Sequence, residues 1–352
     1  MPYAFLCLIP FLVLAKGTIM AGHQMGLGVF APLLAWGLVK SLPARLFILW
    51  AVLWAAAIRV IYLMDVIDVK SAKDASDFSL MIALFLLMYA AATRYGSIEG
   101  WSNAICVIAV CQMLLAVCQI NGFDPFLKFL GLFHPDIRMA LADTTPTGSL
   151  GNNNFLAGFL AISSPFFMRK HWVWFLVPIF GVIFISHTSG ALFAILAGLI
   201  WVYWRKWWAI AGIVLIVAAY VFWIDPNGRI QFTMVKVGRF DLWMQAAAPI
   251  LSNPILFLLG CGPGSPLPYG SHLHNDFLEV WYYYGMIGFG FVAWYTIQTY
   301  LKATGTLKAA FLIIILFAST SLPTFLVPSA MLMAVIFGLC ERETNGKLLN
   351  IC

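Results

Sequence analysis

Apolar residues in this chain do not alternate with polar ones, nor do they recur at a spacing that would leave one helical face in water. They form long unbroken runs separated by short polar, glycine- or proline-containing breaks. Twelve such runs fall at about 3–20, 25–40, 44–64, 78–93, 101–120, 153–168, 172–187, 189–204, 207–224, 276–300, 306–321 and 323–340. Runs approaching ~18–20 residues match the length of a helix that crosses a bilayer. Hydrocarbon offers no hydrogen bonds to exposed backbone, so runs this apolar must be helical, and the alternation of a membrane barrel strand is missing. The pattern predicts an all-α polytopic membrane protein with about twelve transmembrane helices, forming a single integral membrane domain over 1–352.

Two connecting stretches are long, at about 121–152 and 225–275, and both are rich in Gly, Pro and Asp. Long connections usually carry a function. The distribution of Lys and Arg gives an orientation. With the N-terminus inside, inner loops and tail hold Lys40, Arg45, Arg94, Arg169, Lys170, Arg205, Lys206, Lys302, Lys308, Arg342 and Lys347 against the acids Glu99, Glu341 and Glu343. The outer side holds eight cations against eleven acids. The doublets Arg169-Lys170 and Arg205-Lys206 fall in very short loops, where the positive-inside bias is strongest. Both termini are therefore expected in the cytoplasm and both long loops outside.

Composition agrees. Of 352 residues, 62% are hydrophobic and 10% charged, and the mean hydropathy is +0.93. That balance excludes an ordinary soluble domain. The formal charge of +6 is split by sidedness and implies no nucleic-acid partner. Seven cysteines include no C-x-x-C pair, so neither a metal-ligand pattern nor a disulfide framework is read. The opening MPYAFLCLIPFLVLAKG has no Lys or Arg before its apolar run, and reads as a retained first helix rather than a cleaved signal.

Few polar residues remain, and many crowd into GSHLHNDFLEVWYYYG, Gly270–Gly285, where the second long loop re-enters the membrane. Asp276 is expected to cap the tenth helix, with Glu279 three residues on as in a capping box. Capping leaves His272 and His274 unexplained. They could bind zinc with Asp276, act in acid–base chemistry, or sit at the interface with no role. No further His or Cys cluster supports the metal, so no metal and no cofactor is expected. Asn275 lies beside the pair as a polar contact for a substrate.

Upstream in the same loop, Arg229, Lys236 and Arg239 fall within eleven residues. Cations on the outer leaflet gain little from lipid charge, so an anionic substrate headgroup is a better partner, and Arg grips phosphate bidentately. Arg239 and Trp243 are one helical turn apart and could stack. Gly260, Gly262 and Gly264 allow tight turns or a nest of backbone N–H groups. In GSLGNNNFLAGF, Asn152 or Asn153 is the expected cap, leaving Asn154 to point into the bundle or a cavity, where a sugar could satisfy it. In SHTSGALFAILAG, His187 lies at an outer turn and Ser189, Gly190, Ala191 and Ala194 read as close helix packing. A serine hydrolase built on Ser189 lacks its G-x-S-x-G elbow.

Taken together, GNNNFLAGF, SHTSGALFA, GRFDLW, GCGPG and HLHNDFLEVWYYYGMIGFG resemble, in this order, the O-antigen ligase and polymerase family of bacterial inner-membrane proteins. The resemblance covers about 148–290. It is carried best by His274-Asn275 followed by Leu278 and Gly285-x-x-Gly288, and by Gly151, Asn152, Asn154 and Ala157. It implies metal-independent, inverting transfer of a glycan from an undecaprenyl-pyrophosphate carrier to an acceptor at the periplasmic face. Lipid A core is the foremost acceptor and a further repeat unit the alternative. It also implies His274 as the catalytic histidine and Arg239 as the pyrophosphate-binding arginine. Many relatives carry an arginine in an S-R-G or T-R-G element where this chain reads Thr188-Ser189-Gly190; Arg229, Lys236 or His187 would have to supply that cation. The rival classes are a polysaccharide or lipid transporter (flippase), since many helices with polar residues near the outer mouth also fit alternating access, and a metal-dependent membrane hydrolase.

Overall fold

The computed structural model describes residues 85, 88–123, 148, 153–170, 172–186, 188–203, 237–262, 265, 273–319 and 327–349. The expected segments at about 3–20, 25–40, 44–64 and 207–224 lie outside the described residues, as does most of the first long loop. Among the described residues every regular element is helical and no strand occurs. These residues fall into two compact units, one containing 96–203 and 304–317, the other 85–95, 237–303 and 318–349.

In the first unit, α1 (Ile98–Ile120) starts where Ser97 accepts from the Gly100 N–H at 2.9 Å, with Glu99 in the first turn at the positive helix end. Its buried face includes Trp101, Ile105, Ile108, Gln112, Leu115 and Gln119. Its outward face carries Val107, Val110, Leu114, Val117 and Ile120. Glutamines point in and aliphatic side chains point out, the inverse of a helix that faces water. Gln119 explains its own burial. Its amide donates to the Gly148 carbonyl at 2.7 Å and accepts from the Gly148 N–H at 2.8 Å. This pair of bonds ties the two ends of the first long loop together.

Next comes α2 (Asn153–Lys170), which contains Pro165. Proline removes the N–H that would have bonded to the Ala161 carbonyl. The Ser164 hydroxyl donates to that carbonyl at 2.7 Å, and the buried Ser163 hydroxyl donates to Phe159 O at 2.7 Å. The helix thus keeps its apolar surroundings without an orphaned acceptor. The following segment is one apolar run in sequence but three elements in space: a 3-10 turn Trp172–Phe175, α3 (Leu176–Phe180) and a π stretch Gly181–Ser186. Pro178 sits in the first turn of α3, where its missing N–H costs nothing. In α4 (Ser189–Tyr203), Ala191 and Ala194 are fully buried, as close packing of small residues requires.

The second unit holds helical residues 88–94, α5 (Val237–Ser252), α6 (Pro254–Leu259), α7 (Asp276–Lys302) and α9 (Val327–Leu349). Between α7 and α9 in sequence lies α8 (Gly305–Ala318), most of which belongs to the first unit. α5 and α6 occupy a stretch expected to be loop. α5 is legible in retrospect, because Leu242, Ala246 and Ile250 recur at helical spacing and form its buried face. α6 follows a proper start signal: the Asn253 side chain accepts from Ile255 N at 2.9 Å and Leu256 N at 3.4 Å, and Pro254 holds the first helical position.

α7 is two half-helices. Gly285 takes φ 61°, ψ −170°, which interrupts the helix between Tyr284 and Met286. A break frees carbonyls in the preceding turn. Here they are recovered from another segment: Cys261 N–H donates to Tyr282 O at 2.7 Å and Gly262 N–H to Tyr283 O at 3.0 Å. Gly260, at φ 77°, ends α6 against the break, and a Cβ there would lie 2.5 Å from Gly285 N and Tyr283 O. Both positions therefore need glycine, for positive φ and for lack of space.

Candidate functional site at the His274 turn

Asn275 caps α7. Its backbone is extended, and its side-chain oxygen accepts from Leu278 N at 3.1 Å. The expectation that Asp276 is the cap is therefore corrected: Asp276 is the first helical residue, buried in the first turn. Asn has the same capping chemistry, and placing it one residue earlier frees Glu279 for a different task. Glu279 is fully buried, and its carboxylate accepts from the backbone N–H of Leu273 at 2.7 Å, a residue beyond the reach of a standard capping box. A hydrogen bond to a charged acceptor contributes roughly 1.5–3 kcal/mol.

The turn around His274 is fixed from several directions. The Leu273 side chain is fully buried, and the Leu273 carbonyl accepts from the Trp243 indole N–H at 2.7 Å. On the other side, the Asn275 amide donates to Ser319 O at 3.1 Å. Between these anchored neighbours His274 is exposed, with φ 54°. It is the one non-glycine residue with positive φ among the described residues. A left-handed backbone costs a non-glycine residue roughly 1–3 kcal/mol, and such strain persists only where the surroundings impose it. Two anchored residues hold the histidine out of the helix and keep the imidazole accessible.

Trp243 also connects this turn to α5. Leu242, Ala246 and Ile250 of α5 pack with Leu273 and Tyr282–Tyr284 in one buried cluster, and Trp243 lies against it. Arg239 lies in the same helix, four residues and one turn before Trp243, so its position is ~6 Å along the axis from a residue bonded to the His274 turn. The Arg239 side chain is outside the described residues. Trp243, expected as a stacking partner for that arginine, bonds through its indole N–H to the turn itself; the expected stack lies outside the described residues. Arg229, Lys236, His272, Asn152 and His187 lie outside the described residues. Asn154 belongs to the other unit. Of the two expected directions, into the bundle or into a cavity, the first is corrected: Asn154 is exposed, and its side-chain oxygen accepts from the Thr188 hydroxyl at 3.1 Å. A helix opening at Asn153 leaves Asn154 in the first turn, where an outward amide meets the neighbouring turn rather than the core.

Of the two expectations for the glycine-rich GCGPG stretch, tight turns or a backbone nest, the structure shows turns: Gly260 and Gly262 take φ 77° and 88°, and Ser265 N–H donates to Gly262 O at 3.2 Å. The N–H groups of Cys261 and Gly262 are already used on the broken helix, so this part of the loop braces α7. Among the described residues no three His, Cys, Asp or Glu side chains come close enough to hold a metal ion.

Leu273, Glu279 and Ser319 carry this geometry but were not singled out for it from sequence. Leu273 offered one signal, an apolar residue between two histidines in a polar stretch. Ser319 offered none, since a backbone carbonyl has no sequence signature.

Compared with protein-family models and with curated proteins, the sequence matches neither.

Proposed function

We propose that this chain is a polytopic inner-membrane enzyme that transfers a glycan from an undecaprenyl-pyrophosphate carrier to an acceptor at the periplasmic face. Lipid A core is the foremost acceptor and a growing repeat-unit chain the alternative. The observation that carries this is the exposed, left-handed His274, held between anchored neighbours and linked through Trp243 to the helix of Arg239.

The membrane reading is supported by the inverted faces of α1 and by its length; among the described residues it is the one helix long and apolar enough to cross a membrane. The arrangement of helix ends supports the sidedness. Within the first unit, Gln119 bonds Gly148 and Thr188 bonds Asn154, joining residues all expected outside. Within the second, Asn275 bonds Ser319, again outer with outer. Lys302 and Glu341 pair at 3.1 Å, and Arg342 donates to Tyr95 O at 3.2 Å, inner with inner.

In the proposed reaction the acceptor hydroxyl oxygen attacks the anomeric carbon of the lipid-linked sugar. The bond from that carbon to the pyrophosphate oxygen breaks, and undecaprenyl pyrophosphate leaves. His274 takes the acceptor proton. Arg239, with Arg229 or Lys236, stabilises the charge growing on the leaving pyrophosphate. His272 remains as a sugar- or phosphate-contacting candidate beside His274, and Asn275, already bonded to Leu278 and Ser319, as a positioning residue; Asn152, Asn154 and His187 remain candidates within the other unit. One direct displacement inverts the anomeric centre.

The test supplies lipid-linked glycan and each acceptor in turn to purified protein. Transfer should require donor and one acceptor, and His274→Ala should lower it by about 10²–10⁴-fold, the usual range for a lost general base. Arg239→Lys keeps charge but loses the paired geometry, and should fall roughly ten- to hundred-fold, with Arg239→Ala lower still. Donor translocation without any glycosylated product would instead favour transport, the reading to which the broken α7 also lends itself.

A further inference from the structure

The stretch from α5 through α6 was expected to lie in water as part of an outer loop. We infer that it is a re-entrant element that dips into the hydrocarbon, and that its exposed apolar face is covered by the acyl chains of the outer leaflet. The inference rests on the membrane reading above.

The depth follows from the broken helix. α7 opens at Asp276, at headgroup level in that reading, and breaks at Gly285. Nine residues of helix descend ~14 Å, close to the ~15 Å half-thickness of the hydrocarbon. Gly260 meets that break backbone to backbone, and Cys261 and Gly262 bond to its carbonyls. The C-terminal end of α6 therefore shares the depth of Gly285. The start of the element is fixed as well, because Trp243 bonds to Leu273 at the level where α7 opens. Between these two ties the chain must descend.

The composition suits that path. No charged side chain occurs between Asp241 and His272. Leu251, Ile255, Leu258 and Leu259 are exposed, a face that would be costly in water but neutral in hydrocarbon. Non-helical backbone at membrane depth is tolerated only where its polar groups are satisfied. At the bend Asn253 serves the N–H groups of Ile255 and Leu256, and at the tip the N–H groups of Cys261 and Gly262 reach Tyr282 and Tyr283.

The test uses the full chain in lipid vesicles, with its seven cysteines replaced. Single cysteines are introduced by Leu258→Cys on α6, by Ile255→Cys as a second position on that face, and by Val107→Cys on the outward face of α1. Each carries an environment-sensitive fluorophore. Quenching by lipids spin-labelled at mid-chain is compared with quenching by aqueous iodide. Lipid quenching should exceed iodide quenching by roughly tenfold at all three positions, because an ion enters hydrocarbon only at high cost. Iodide quenching at 258 and 255 with lipid quenching at 107 would overturn the re-entrant element and leave the membrane reading standing. Iodide quenching at 107 as well would remove the membrane reading itself. Protection of 258 and 255 from both quenchers would mean that protein covers the face, which also overturns the proposal.

Discussion

Two helices in this chain open on clusters of polar residues, and the two openings are built differently. α2 begins within a run of asparagines, and Asn154 there is exposed, with a bond to Thr188. α7 begins after HLHN, and the residues flanking His274 are bonded to Trp243, Glu279 and Ser319, each from a different part of the chain. At the first opening the described residues, from Asn153 on, are helical, as polar residues in a first turn allow. The second holds a histidine in a conformation it would not choose. Polar crowding marks both, but only the second combines accessibility, strain and rigid support, the combination expected of a group that must present itself to a reacting atom.

The sharpest way to break this comparison is at the support beneath α7. Gly285→Ala would place a Cβ against the backbone of Leu258 and Gly260 at a positive φ. Overpacking and the left-handed backbone together cost about 3 kcal/mol. The variant should lose folded protein from the membrane, measured as a lowered thermal-inactivation temperature in detergent. Wild-type stability there would mean that α7 is not broken in solution.

A smaller effect is expected at Glu279. Glu279→Ala leaves the buried Leu273 N–H without its acceptor, at a cost of about 1–3 kcal/mol. Transfer should fall with kcat while the KM values stay within a few-fold. Glu279→Gln keeps an acceptor oxygen and should recover most of the rate. Equal losses in both variants would show that the negative charge matters, not the hold on the turn.

The smallest effect belongs to the other opening. Asn154→Ala removes the exposed bond to Thr188 among its contacts and should shift stability by about 0.5–1 kcal/mol. Any loss of transfer should appear in KM for the sugar-bearing substrate. A drop in kcat as large as that of a His274 variant would erase the distinction between the two openings.

Much of the helical plan is legible in the runs of apolar residues. The starts of α1, α2, α4 and α7 fall within a few residues of the expected positions, because Ser97, the asparagine run and Asn275 are strong start signals next to unmistakable apolar segments. What escapes is geometry that depends on partners distant in sequence. Nothing local distinguishes Gly285 from the other glycines of the same segment; it breaks the helix because Gly260 meets it there and Cys261 and Gly262 supply the replacement bonds. The α5–α6 stretch hides for another reason. Its Gly-, Pro- and Asp-bearing flanks look like loop, while its own apolar run is interrupted by Asn253, which starts a new helix rather than ending one. Of the candidate site, the polar crowding at the start of α7 is legible, and the role of each residue is not: whether Asn275 or Asp276 caps depends on which backbone N–H groups lie within reach.

The central claim is that His274 is held in a strained turn for chemistry rather than for stability. His274→Gly tests it most directly, because glycine adopts φ 54° without strain. Stability and glycan transfer are measured on the same purified variant. The account predicts a protein at least as stable as wild type, by up to about 1 kcal/mol, with transfer lowered by about 10²-fold or more. A His274→Gly protein that transfers glycan at the wild-type rate would contradict it.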